Sequence, residues 1–85
     1  MLHATFQQLR LFASVARHKS FTRAAEEVHL TQPAVSIQVK RLEDKIGMPL
    51  LEKMGNQLHL TRAGDGGYNT LRHVLQPLTS LERPR

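Results

Sequence analysis

Thr31-Gln32-Pro33-Ala34-Val35-Ser36-Ile37-Gln38-Val39-Lys40-Arg41-Leu42-Glu43-Asp44-Lys45-Ile46-Gly47 reads as a helix with both ends marked and two chemically different faces. Thr31 is a natural N-cap, and Pro33 falls in the first turn, where a missing N–H removes a donor that has no intrahelical acceptor anyway. Proline also disfavours α geometry at the residue before it, so the cap can equally be Gln32. Lys45 suits the negative pole of the helix dipole, and Gly47 can take the left-handed conformation that ends the helix. At about 100° per residue Val35, Val39, Leu42 and Ile46 fall in one stripe, which is expected to face a core. The other side carries Pro33, Ile37, Lys40, Arg41 and Asp44, with Gln32 and Ser36 on one shoulder and Ala34 and Gln38 on the other. Such groups suit the base edges and phosphates of a DNA major groove: Gln can pair with adenine, Ser with several bases, and methyl groups with thymine. A merely solvated polar face has the same composition, so the flanking segments have to decide.

Upstream, Ser20 is placed to cap a short helix in which Phe21, Ala24, Ala25 and Val28 give one buried face, and the alanine pair lets another helix approach closely. Only His29-Leu30 separates it from Thr31, which leaves room for a tight corner between two steeply packed helices. His29 is expected in the left-handed position of that corner and Leu30 as a plug in the core beneath it. Together these make a helix-turn-helix, whose second helix enters the major groove and meets bases with its N-terminal residues. Ser20, Thr22 and Arg23 lie at the start of the supporting helix, where free N–H groups and a cation can hold a phosphate. Earlier still, Thr5-Phe6-Gln7-Gln8 forms a capping box for a first helix with Phe6, Leu9, Phe12, Ala13 and Ala16 at helical spacing and Leu11 and Val15 widening the apolar side. Its end, Arg17-His18-Lys19, fits either the helix dipole or a phosphate.

Downstream, Met48-Pro49-Leu50-Leu51-Glu52-Lys53 reads as a loop entering a short strand, Met54-Gly55-Asn56-Gln57 as a turn, and Leu58-His59-Leu60 as a second strand. A hairpin after a helix-turn-helix is a wing, with Lys53, Asn56, Gln57 and His59 as its candidate backbone contacts; for His59 a solvated strand position explains it as well. Thr61 caps a last helix. In it Gly64, Gly67, Leu71, Val74, Leu78 and Leu81 recur at the spacing of a coiled-coil seam, with Leu75 beside it. Three glycines, each costing about 1 kcal/mol relative to alanine, and Pro77, which lacks an N–H for the carbonyl of His73, predict a frayed or kinked helix steadied by a partner. Glu82-Arg83-Pro84-Arg85 is expected to be a disordered tail.

Eighty-five residues make one small domain with a thin core, and without cysteine neither disulfides nor thiolate-bound zinc brace it. Twelve Lys and Arg against seven Asp and Glu give a formal charge of +5 and a pI near 10.5, which favours a polyanionic partner through counterion release. No apolar run approaches the roughly 20 residues of a membrane span, and the start lacks the pattern of a secretory signal. A cytoplasmic protein without membrane contact is expected. The histidines, at positions 3, 18, 29, 59 and 73, form no HxxxH pair, and no glycine-rich loop follows a strand. An enzyme, a metal site and a cofactor are therefore not expected.

Several runs resemble the N-terminal DNA-binding domain of LysR-type bacterial transcriptional regulators. They are Leu9-Arg10-Leu11-Phe12, Ser20-Phe21-Thr22-Arg23-Ala24-Ala25-Glu26-Glu27, Leu30-Thr31-Gln32-Pro33-Ala34-Val35-Ser36 with Gln38 and Leu42-Glu43, then Gly47, Pro49-Leu50-Leu51-Glu52 and Leu60-Thr61-Arg62-Ala63-Gly64. Within that family Ala16-Arg17-His18, Ile37-Gln38-Val39-Lys40 and Met54-Gly55 look most like regulators of carbon-dioxide-fixation (RuBisCO) operons. The resemblance implies a mainly α fold: a winged helix-turn-helix over residues 1–60, of three helices and a hairpin wing, then a linker helix over residues 61–81 that pairs in a dimer. It further implies an effector domain, which this chain lacks, and higher oligomers in a full-length protein. It places base contacts at Gln32, Pro33, Ala34, Ser36 and Ile37, and backbone contacts around Ser20, Thr22, Lys40 and the wing; the helix starts, the helical cations and the hairpin add Arg23, Thr31, Arg41, Lys53, Asn56 and Gln57 as candidate backbone contacts. The dimer interface falls on Leu71, Val74, Leu75, Leu78 and Leu81. Many members carry arginine where this chain has Ile37, so a base-reading cation is replaced by a group suited to a thymine methyl. The expected partners are double-stranded DNA and a second copy, with no small molecule on this part. The alternative is a protein-interaction module that uses the last helix and has only non-specific affinity for DNA.

Overall fold

The computed structural model of the chain describes residues 5–82, with side chains described through residue 74. Three helices come first: α1 over Phe6–His18, α2 over Phe21–Val28 and α3 over Gln32–Ile46. Strands β1, Leu51–Met54, and β2, Gln57–Leu60, follow, and then α4 over Arg62–Glu82.

Each helix start is fixed by a side chain that the sequence names. Thr5 and Gln8 exchange both hydrogen bonds of a capping box. The Ser20 hydroxyl accepts from the Arg23 N–H at 3.1 Å, Thr31 from that of Ala34 at 3.2 Å, and Thr61 from that of Gly64 at 3.0 Å. The cap of α3 is thus Thr31, with Gln32 its first helical residue. Stops are equally local, since Lys19, His29 and Gly47 all lie at positive φ, the conformation that turns a helix end back on its last carbonyls.

Leu11, Phe12, Val15 and Ala16 of α1, Ala24 and Ala25 of α2, Val35, Val39 and Leu42 of α3, and Leu50 form one buried cluster. Helices α1, α2 and α3 all touch one another around it, and the two alanines let α2 sit close. Three apolar expectations fail at its rim. Phe6, first in α1, is 61 % exposed, Ile46, last in α3, is 40 % exposed, and Leu30, expected to plug the core, is 39 % exposed. A terminal turn extends past the neighbouring helix, and at the corner the Leu30 N–H closes α2 by donating to the Ala25 carbonyl. The buried face of α1 is accordingly centred on Leu11, Phe12 and Val15, and includes Gln8.

The hairpin is antiparallel, pairing Leu51 with Leu60 and Met54 with Gln57 around Gly55-Asn56. Gly55, at φ +65, supplies the positive φ that a two-residue loop requires. Helix α4 is continuous across Pro77, where a fray or kink is expected from the sequence. The expected tail begins at Glu82, which instead closes α4; the rest of it, residues 83–85, lies outside the described residues.

A candidate nucleic-acid interface

The exposed side of α3 is a single surface with the start of α2 and the wing. Gln32, Pro33, Ile37, Lys40 and Arg41 are exposed and Ala34 and Ser36 half-buried, whereas Val35, Val39 and Leu42 on the opposite side are buried. Ile37 is 50 % exposed, a large apolar side chain held out in solvent among polar neighbours. The Gln32 amide donates to the Ser36 hydroxyl at 2.8 Å, which ties two of the candidate base readers together. Gln38 differs, for its amide oxygen accepts from Gln8 at 3.0 Å and so is engaged with α1.

Around this face Thr22, Arg23 and Thr31 are exposed and Ser20 half-buried. The hydroxyls of Ser20 and Thr31 each accept a helix N–H, which leaves the hydroxyl proton to donate. Lys53, Asn56 and Gln57 are exposed on the hairpin, and His59 is half-buried across from Glu52. Ser36, Lys40 and Lys53 line one groove of about 360 Å³ between α3 and the wing, together with Glu43 and Glu52 and the apolar Phe21, Val39, Leu51 and Leu58. The described ion pairs, Arg17–Glu27 and His18–Glu27, use none of Arg23, Lys40, Arg41 and Lys53. Among the described residues, then, Arg23, Lys40, Arg41 and Lys53 form no ion pair, although Glu43 and Glu52 lie near Lys40 and Lys53 in the groove.

Arg17 and His18 belong elsewhere. Glu27 of α2 accepts from Ser14 at 2.6 Å and from Arg17, and one of its oxygens lies 3.0 Å from His18 Nε2. The Arg17 hydrogen bond, then that of Ser14, holds the Glu27 carboxyl down to about 2 against an opposing effect of burial, with His18 adding a lesser contribution. Arg17 and His18 at the basic end of α1 are thereby tied to α2, while Lys19, the next residue, is exposed.

Glu43 is a positioning residue to which the sequence assigns no role. One of its carboxylate oxygens accepts the N–H of Leu50 at 2.7 Å and of Leu51 at 3.1 Å, joining α3 to the first strand of the wing. The same segment holds α4. The Leu50 carbonyl accepts from the Thr61 N–H at 3.0 Å, and the Thr61 hydroxyl donates to the Pro49 carbonyl at 2.7 Å. A Cβ on Gly64 would stand 1.9 Å from that Leu50 oxygen. Gly64 therefore packs inside its own chain, which corrects its place in a seam for a partner. Leu71 also packs, half-buried, against this chain's own core, and Val74 is 62 % exposed. The side chains of Leu75, Leu78 and Leu81 lie outside the described residues.

Residues 6–65 match the family described as bacterial regulatory helix-turn-helix protein, lysR family. The chain belongs to that family. It is 52 % identical over 81 residues to a RuBisCO operon transcriptional regulator of Allochromatium vinosum, covering 95 % of this chain and 27 % of that protein. To the HTH-type transcriptional regulator CfxR of Cupriavidus necator it is 62 % identical over 61 residues, 72 % of this chain and 19 % of the relative. The chain thus spans about a quarter of the length of such relatives or less. A crystal structure of a BenM_DBD/catB site 1 DNA complex superposes with a TM-score of 0.75 at 31 % identity, covering 93 % of this chain and 92 % of the other. The winged helix-turn-helix expected from the lysR resemblance is the fold observed. Among the described residues no helix is long and apolar enough to cross a membrane.

Proposed function

We propose that this lysR-family chain is a sequence-specific double-stranded DNA-binding module of a cytoplasmic bacterial transcription regulator, without enzymatic activity, that acts as a dimer on a dyad site. The observation that carries the proposal is the face of α3, where an amide, a hydroxyl and an exposed isoleucine stand beside cations that no described carboxylate holds. In this arrangement α3 lies in the major groove. Gln32, Pro33, Ala34, Ser36 and Ile37 meet base edges, while Ser20, Thr22, Arg23, Thr31, Lys40 and Arg41 hold phosphates. Lys53, Asn56 and Gln57 lay the wing along the backbone or minor groove. The similarity to RuBisCO operon regulators supports an operator of that class. Pairing through α4 along Leu71, Val74, Leu75, Leu78 and Leu81, with Leu71 half-buried and Val74 exposed, supplies the second half-site reader, while Gly64 at the start of the helix packs on its own domain.

Two substitutions separate base reading from phosphate binding. Gln32→Ala should cost about 1–3 kcal/mol on the preferred duplex and relax choice at one base pair. Lys40→Ala should weaken all duplexes alike and lower the salt dependence by about one ion. Equal losses for Gln32→Ala on preferred and random DNA would remove it from the base-reading set.

A further inference from the structure

Gln32 and Ser36 stand four residues apart, one turn of α3, and are joined by the 2.8 Å bond from the Gln32 side-chain N–H to the Ser36 hydroxyl. The two ends of that bond differ in mobility. Gln32 is exposed at the first helical position, and its backbone is set by the Thr31 cap on one side and by Pro33 on the other. Its side chain would otherwise swing freely on three torsions. Ser36 is half-buried and lines the groove shared with Phe21, Val39, Lys40 and Lys53, so it is the fixed end.

We infer that Ser36 is a positioning residue for base recognition, holding the Gln32 amide so that the two side chains read one base pair as a unit. A glutamine amide has one acceptor oxygen and two N–H donors. With one N–H given to Ser36, the outward edge keeps one acceptor and one donor. That pattern complements adenine, which offers its N6–H and its N7 in the major groove, and not guanine, whose O6 and N7 both ask for donors. The bond therefore sets the choice of base as well as the rotamer. Binding gains too, because a side chain already held in place loses less freedom on meeting DNA. The inference rests on the assignment of Gln32 to base reading proposed above.

The test is selection from a randomised duplex pool by this chain and by its Gln32→Ala, Ser36→Ala, Ser36→Thr and doubly substituted Gln32→Ala/Ser36→Ala variants. The preference at every base-pair position is read for each. Gln32→Ala should remove an adenine preference at one position by about 5- to 150-fold, one bidentate contact. Ser36→Ala should lower the preference at that same position by about 2- to 12-fold, the cost of ordering one side chain, and admit guanine there. Ser36→Thr, which keeps the hydroxyl, should retain it, and the double variant should be no flatter than Gln32→Ala alone. Relaxation of the Gln32 side-chain amide in DNA-free protein should report greater mobility in Ser36→Ala. Flattening by Ser36→Ala at a different position, with the Gln32 position intact, would overturn the inference while leaving Gln32 a base reader. If Gln32→Ala flattens no position, the assignment of Gln32 itself fails and the inference falls with it.

Discussion

Gly64 and Gly66 are two residues apart on α4 and face opposite surroundings. A Cβ at Gly64 would meet the Leu50 carbonyl oxygen at 1.9 Å, while one at Gly66 would meet nothing within 4 Å. Gly64→Ala must therefore push the start of α4 off the wing, at a cost of at least the roughly 1–3 kcal/mol of an overpacked core. Gly66→Ala should instead stabilise the helix by up to about 1 kcal/mol. Thermal denaturation of the two variants should move the midpoint in opposite directions, and a shared direction would count against the close approach at Leu50. In the sequence these glycines look alike, because helical spacing records which residues share a face and says nothing of how near another backbone comes. Gln8 is the same kind of case. Its capping role is readable three residues away in Thr5, whereas its bonds to Gln38 and Lys45 depend on how α1 and α3 are packed.

Among elements, caps and turns were legible because their partners lie within four residues. Thr5, Ser20, Thr31 and Thr61 start helices where expected, and His29 and Gly47 stop them. Couplings between elements were not legible, since carboxylates look like ordinary surface charge until the fold places them. Glu43 is one such group. Glu43→Ala leaves the Leu50 and Leu51 N–H groups without their charged acceptor, a loss of about 1.5–3 kcal/mol. Hydrogen exchange at those two amides should then accelerate beyond the change in global stability, and unchanged exchange would argue that the wing is held by other contacts. Glu27 is the other. Its carboxyl is held down to about 2 from an ordinary 4.5, so what it contributes to stability is present above pH 4.5 and fades as pH falls toward 2. With its side chain 43 % exposed, solvent screening keeps that contribution small. The difference in stability between the parent chain and Glu27→Gln should therefore shrink steadily across that acidic window, and a constant difference would show that the carboxylate charge is not what holds α1 to α2.

For the molecule as a whole, charge is sorted by position. Arg17 and His18 at the end of α1 are tied to Glu27, while Lys40 and Arg41 of α3 and Lys53 of the wing are exposed and form no ion pair among the described residues. The wing is fixed to α3 through Glu43 and to α4 through Leu50 and Thr61. The measurement that tests the central claim most directly is fluorescence-anisotropy titration of the chain onto a duplex carrying a dyad enriched by selection and onto its scrambled counterpart, at two salt concentrations. Tighter binding to the dyad at both concentrations, with affinity falling as salt rises, is the predicted result. Equal binding to the two duplexes, lost on adding salt, would contradict base reading by α3 and leave a basic domain with non-specific affinity alone.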